Sequence, residues 1–146
     1  NNYGVVNQGS SPELKGVTVE ALGGTMAYGV LNWYSSQGTL IDVTAKAAGA
    51  SSYNYAVMNQ SGSTLRIVNL TAEGSGGSGG FGVYNSGDGN GLTLDNSDVS
   101  GTSNSVRNDN ASADVFVGGS KLDGAVSSNV SCVASYDGSY STISCP

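Results

Sequence analysis

"YGVVN", Tyr3 to Asn7, returns as "YGVLN" from Tyr28, "YAVMN" from Tyr55 and "FGVYN" from Phe81. Aligned on the valine, the series runs Val5, Val30, Val57, Val83 and Val106, with steps of 25, 27, 26 and 23 residues. The asparagines Asn7, Asn32, Asn59, Asn85 and Asn108 keep the same steps. A second block follows each time: "GVTVEA" from Gly16, "DVTAKA" from Asp42, "NLTAEG" from Asn69, then "SDVSG" from Ser97 and "SKLDG" from Ser120. A fixed period of 20–50 residues marks a solenoid or propeller. Leucine-rich repeats need spaced leucines that are absent, and propeller blades need about 40 residues or more. Helical repeats need a 3.6-residue period, whereas these segments are short, β-branched and bounded by glycine.

The expectation is therefore an all-β chain: a right-handed, single-stranded parallel β-helix of about five coils, two strand-like segments to the coil. Its rungs are about 4.8 Å apart, the spacing of neighbouring strands. Coils are expected over residues 1–125, and a cap closed by a disulfide over residues 126–146.

Alternation along a flat strand sorts the side chains. It sends Tyr3, Tyr28, Tyr55 and Phe81 inward with the valines, and stacks the asparagines at the strand ends, where amides can bond from rung to rung. It sends Gly4/Val6, Gly29/Leu31, Ala56/Met58 and Gly82/Tyr84 outward, an apolar stripe of the kind that marks contact surfaces. Trp33, Tyr34 and Tyr53 extend it. In the second block Val17, Val43 and Leu70 point in, as do Val19, Ala45 and Ala72. Glu20, Lys46 and Glu73 form one outward column, with opposite charges on adjacent rungs. Thr18, Thr44 and Thr71 form another, read as good strand formers.

Composition narrows the function classes. Only 11% of the 146 residues are charged, against about 25% in an average domain. The net charge is −6 and the five basic residues, Lys15, Lys46, Arg66, Arg107 and Lys121, are scattered. Nucleic-acid binding needs clustered cations, so no such partner is expected. No apolar run approaches a membrane span, and no membrane insertion is expected. Cys132 and Cys145 are the only cysteines and there is no histidine. Metal sites usually need four closely spaced ligands, so a disulfide and an oxidising, exported setting are expected. No metal or other cofactor is expected.

The repeats "YGVVNQGSSPELKGVTVEALGG" and "FGVYNSGDG" resemble the coils of bacterial secreted parallel β-helix proteins of the broad pectin-lyase-like class. "SNSVRNDNASADVFVGGSKLDGAVSS" with "SCVASYDGSYSTISC" resembles the way such chains finish, in a degenerate coil and a small Cys-closed cap. The resemblance covers essentially the whole chain and implies architecture more than activity, since such proteins serve as adhesins, surface or fibre modules, and in some cases carbohydrate-active enzymes. Enzymes of the class use a Ca²⁺-binding acidic cluster with a basic residue, or paired aspartates. This chain departs from both patterns. Asp95 and Asp98 are its nearest carboxylate pair, read as a solvated strand end and turn. "DGNGLTLDNSD" lacks the glutamate that closes an EF-hand loop.

With no histidine and no free thiol, a nucleophile and base are hard to pair. The expected function is non-enzymatic: a structural or adhesive module of an exported bacterial surface or fibre protein. It is expected to act through its flat sides and an uncapped N-terminal end, self-associating head-to-tail or laterally. The alternative is a carbohydrate-binding or carbohydrate-active β-helix, with Trp33, Tyr34 and Tyr84 as sugar platforms.

Overall fold

Three faces, not two, complete each coil. The computed structural model describes residues 1–146. The first coil holds β1 (Asn2–Gln8), β2 (Glu13–Lys15) and β3 (Thr18–Leu22). Then come β4 (Met26–Trp33), β5 (Gln37–Ala48), β6 (Tyr53–Gln60), β7 (Thr64–Ser75), β8 (Gly79–Ser86) and β9 (Gly91–Asp95). The chain ends with β10 (Asp98–Asn108), β11 (Asp114–Gly118), β12 (Lys121–Val126), β13 (Ser131–Val133), β14 (Ser135–Asp137) and β15 (Thr142–Ile143). All pairings are parallel except β14 with β15. The chain is a parallel β-solenoid of about five coils.

The ladders form three faces. The first stacks β1, β4, β6, β8 and the end of β10. The second stacks β2, the first halves of β5 and β7, then β9, β11 and β13. The third stacks β3, the second halves of β5 and β7, the start of β10, then β12 and β14. The opening motif and the second block are the first and third faces. The second face went unrecognised, although "TLRIV", "GLTLD" and "DVFVG" alternate cleanly.

One residue makes the corner between the second and third faces. Gly16, Asp42, Asn69, Asn96, Gly119 and Ala134 all have positive φ, between 49° and 63°. This left-handed region is open mainly to Gly, Asn and Asp, which is why the second block opens on Gly, Asp or Asn in its first three copies.

The core runs along the axis. Val30, Val57, Val83 and Val106 contribute from the first face, and Leu40, Ile67, Leu94 and Val117 from the second. The third adds the row Val19, Ala45, Ala72, Val99 and Leu122. Burying each Val or Leu contributes about 1.5–3 kcal/mol.

The aromatic row does not join this core. Tyr28, Tyr55 and Phe81 form a separate cluster with Leu31 and Met58, which corrects their expected inward placement. The cause is a bend in each first-face strand. Pairing passes from Tyr28↔Tyr55 to Val30↔Val57 without a pair at Gly29. A Cβ on Gly29 would lie 2.4 Å from the Ala56 carbonyl oxygen, and Ala56 belongs to the core. The small-residue column therefore faces inward, and residues three apart share the outer side.

At the C-terminal end, β13 and β14 continue the parallel ladders beyond residue 125, and β12 crosses the expected boundary. Only β15 departs, pairing antiparallel with β14. Asp137 makes the turn: its Oδ1 accepts from the Ser139 and Ser141 N–H groups. The Cys132–Cys145 disulfide ties this segment to the second face.

Candidate interaction surfaces

Repetition along the first face becomes two ladders. Inside the corner, Asn7 donates its amide to Asn32. Asn32 donates to Asn59 at 2.8 Å, Asn59 to Asn85 at 2.8 Å, and Asn85 to Asn108 at 3.2 Å. All five are buried. The same amides cap backbone carbonyls across the corner, Asn59 bonding Ser63 O at 3.0 Å and Gly91 O at 3.2 Å. Buried serines do similar work: Ser63 Oγ accepts from the Ser36 N–H at 3.1 Å, and Ser120 Oγ from the Ser97 N–H at 3.1 Å. No buried side-chain polar atom lacks a partner.

Outside, the rings of Tyr3, Tyr28, Tyr55 and Phe81 stack with centroids 5.0, 5.2 and 5.2 Å apart and planes within 18°. Beside them run Val6, Leu31, Met58 and Tyr84, in register. This stripe is largely covered by its own neighbours: Leu31 is 4% exposed and Met58 8%. Within the two ladders the first rung is the most open, with Tyr3 and Val6 both 47% exposed. An exposed continuous stripe is therefore not what the chain presents.

Trp33 packs on the same cluster and its Nε1 donates to Ser61 Oγ at 3.0 Å. Tyr34, exposed, meets Trp33 edge-on at 6.0 Å. Tyr84 lies two rungs away against Tyr55 and Phe81, so the three aromatics do not form one platform. Tyr53 leans on Tyr55 and Phe81 at 6.0 and 6.3 Å.

Arg107 closes the far end of the stripe. Its guanidinium sits 5.5 Å from the Phe81 centroid and 5.6 Å from that of Tyr84. Its Nε donates to Asp109 Oδ1 at 2.6 Å, and the Tyr84 hydroxyl donates to Asp109 Oδ2. Burial pushes the Tyr55 phenol up to about 12. Burial and then the Asp109 hydrogen bond raise Tyr84, and that carboxylate also raises Arg107.

At the N-terminal end β1, β2 and β3 each pair on one side only. At the C-terminal end β13 pairs with β11 alone. There β15 covers β14, and the Tyr140 ring lies 5.4 Å from Lys121 Nζ.

The second face carries a shallow, open trough of about 420 Å³. Gln37, Thr64, Gly91 and Asp114 form one of its rows, and Thr39, Arg66, Thr93 and Phe116 the next. Gly91 leaves a gap between Thr64 and Asp114, and Phe116 is exposed. Arg66 is in none of the three ion pairs, Lys46–Glu73, Arg107–Asp109 and Lys121–Asp98. Asp95 and Asp98 are both exposed and flank the Asn96 corner, Asp98 facing Lys121 at 3.3 Å. No three His, Cys, Asp or Glu side chains converge on a point. No helix is long and apolar enough to cross a membrane.

Fold and surfaces define a class, a parallel β-solenoid with a disulfide near its C-terminus. Comparison with family models, with curated proteins and with solved structures found no match to this chain.

Proposed function

We propose that the chain is a non-enzymatic structural module of an exported bacterial surface or fibre protein, of the pectin-lyase-like architectural class. One observation carries this reading: every coil spends its repeated residues on stacking, in a buried asparagine ladder and a ladder of stacked rings that surfaces at Tyr3 and Val6. Exposed apolar ladder residues mark contact surfaces, and Tyr3 and Val6 offer a ring and a valine on which another copy of the chain can stack. The disulfide fits an oxidising exterior. Sedimentation of the 146-residue chain over a range of concentrations tests the reading. Self-association that is weakened in Val6→Lys, with circular dichroism unchanged, supports it. A monomer at every concentration overturns it.

The second reading, a carbohydrate-binding protein, is favoured by the second-face trough rather than by Trp33, Tyr34 and Tyr84. Sugar sites combine an apolar ring face with hydrogen-bonding groups that fix orientation. Phe116, Asp114, Arg66 and the threonine hydroxyls supply both. Glycan-array binding lost in Phe116→Ala but kept in Trp33→Ala would establish it.

A further inference from the structure

Tyr84 differs from every other ring of the ladder in one chemical respect. Its hydroxyl donates to a carboxylate oxygen, Asp109 Oδ2, while Oδ1 is held by Arg107 Nε at 2.6 Å. Tyr28 instead donates to Met26 Sδ at 3.2 Å, and the Tyr3 oxygen accepts from Asn1 Nδ2 at 3.2 Å. Tyr84 also lies in an unbroken run of ring contacts. It meets Tyr55 at 5.3 Å, Tyr55 meets Tyr28 at 5.2 Å, and Tyr28 meets the half-exposed Tyr3 at 5.0 Å. Electrons tunnel readily between rings in contact.

A phenol that loses an electron becomes a far stronger acid than any carboxylic acid. It keeps the oxidised state only where its proton has somewhere to go. We propose that Tyr84 and Asp109 form a proton-coupled one-electron oxidation site, fed through the tyrosine ladder by diffusible one-electron oxidants. In the step, the Tyr84 O–H bond breaks and its proton passes to Asp109 Oδ2. One electron leaves through Tyr55, Tyr28 and Tyr3 to the oxidant, which is reduced by one. No bond between heavy atoms forms, and the product is a neutral Tyr84 radical beside a protonated Asp109.

Arg107 has two parts in this. It fixes Asp109 through the other oxygen, and its charge beside the ring disfavours a cationic radical. Proton and electron therefore leave together. Tyr55, Tyr28 and Tyr3 have no carboxylate acceptor and pass the hole on.

The test is flash photolysis of the full chain with photogenerated tris(bipyridine)ruthenium(III), read by transient absorption and electron paramagnetic resonance. One tyrosyl radical is expected, absent in Tyr84→Phe. In Asp109→Asn it forms roughly 10²-fold more slowly, since a positioned acceptor contributes about that much to proton transfer. The wild-type rate falls in deuterium oxide. Tyr34 and Tyr140 are more exposed than any ladder ring, so a radical on either overturns the proposal. An unchanged rate in Asp109→Asn, or no solvent isotope effect, overturns it as well.

Discussion

Asn59 donates its side-chain amide to Asn85 Oδ1 at 2.8 Å with both residues fully buried, and accepts in turn from Asn32. The solenoid thus carries a polar spine parallel to its apolar core. Each link satisfies a group that the corner would otherwise bury unpaired.

Breaking that spine is costly. Asn59→Ala leaves Asn32, Ser63 and Gly91 short of a partner, and is expected to lower stability by about 1–3 kcal/mol. Asn59→Asp is expected to be worse, since a carboxylate would face the oxygens of Ser63, Asn85 and Gly91. Urea denaturation midpoints of the two variants check the order.

Gly29 and Gly16 separate two uses of glycine. Gly29→Ala drives a Cβ into the Ala56 carbonyl and is expected to cost about 1–3 kcal/mol by overpacking. Gly16 has open space around it and a positive φ shared with Asp42, Asn69 and Asn96. Gly16→Asn is expected to be nearly neutral, and thermal melts of both variants give the comparison.

Met58 and Val6 occupy the same row but not the same environment. Met58→Asp places an unpaired charge between Leu31 and Tyr84, with an expected loss of about 3–5 kcal/mol. Val6→Asp, on the open rung, should stay within about 0.5 kcal/mol. Equal losses in chemical denaturation would refute the self-covered stripe.

Alkali should weaken the fold through the ladder. Burial raises Tyr55 from its ordinary value near 10 to about 12, and raises Tyr28 and Tyr84 as well. Between these values the unfolded chain has lost phenolic protons that the folded chain keeps, so stability falls as pH rises. Its contribution is whole below pH 10 and gone once pH has passed about 12. Absorbance titration is expected to show late-titrating tyrosinates, and urea midpoints should decline across the same window.

Removing both cysteines acts locally. A closed loop of this size contributes about 3 kcal/mol, and solenoid coils contact only their neighbours. In Cys132→Ser/Cys145→Ser, amide exchange is expected to quicken in β13, β14 and β15 while β4, β6 and β8 stay protected.

Much of this was legible in the chain because a parallel solenoid writes its stacking as repetition. The valines, the asparagines and the Glu20–Lys46–Glu73 column recur in sequence and stand in register in space. The second face escaped because its first strand is short, and β5 and β7 hide a corner inside one continuous run. The trough of Arg66, Asp114 and Phe116 lies on that face and was missed with it.

The sequence by itself determined the period, the parallel stack and the residues that form ladders, since all of these follow from what recurs. Tertiary structure decided which way each ladder faces. Alternation assumes a flat strand, and close packing at Gly29 against Ala56 bends it, so the aromatic row lies outside and the valines within. It also decided the meeting of Tyr84, Arg107 and Asp109. Arg107 and Asp109 are neighbours on one coil and Tyr84 lies on the coil before it, so only rung-on-rung stacking brings Tyr84 to the pair.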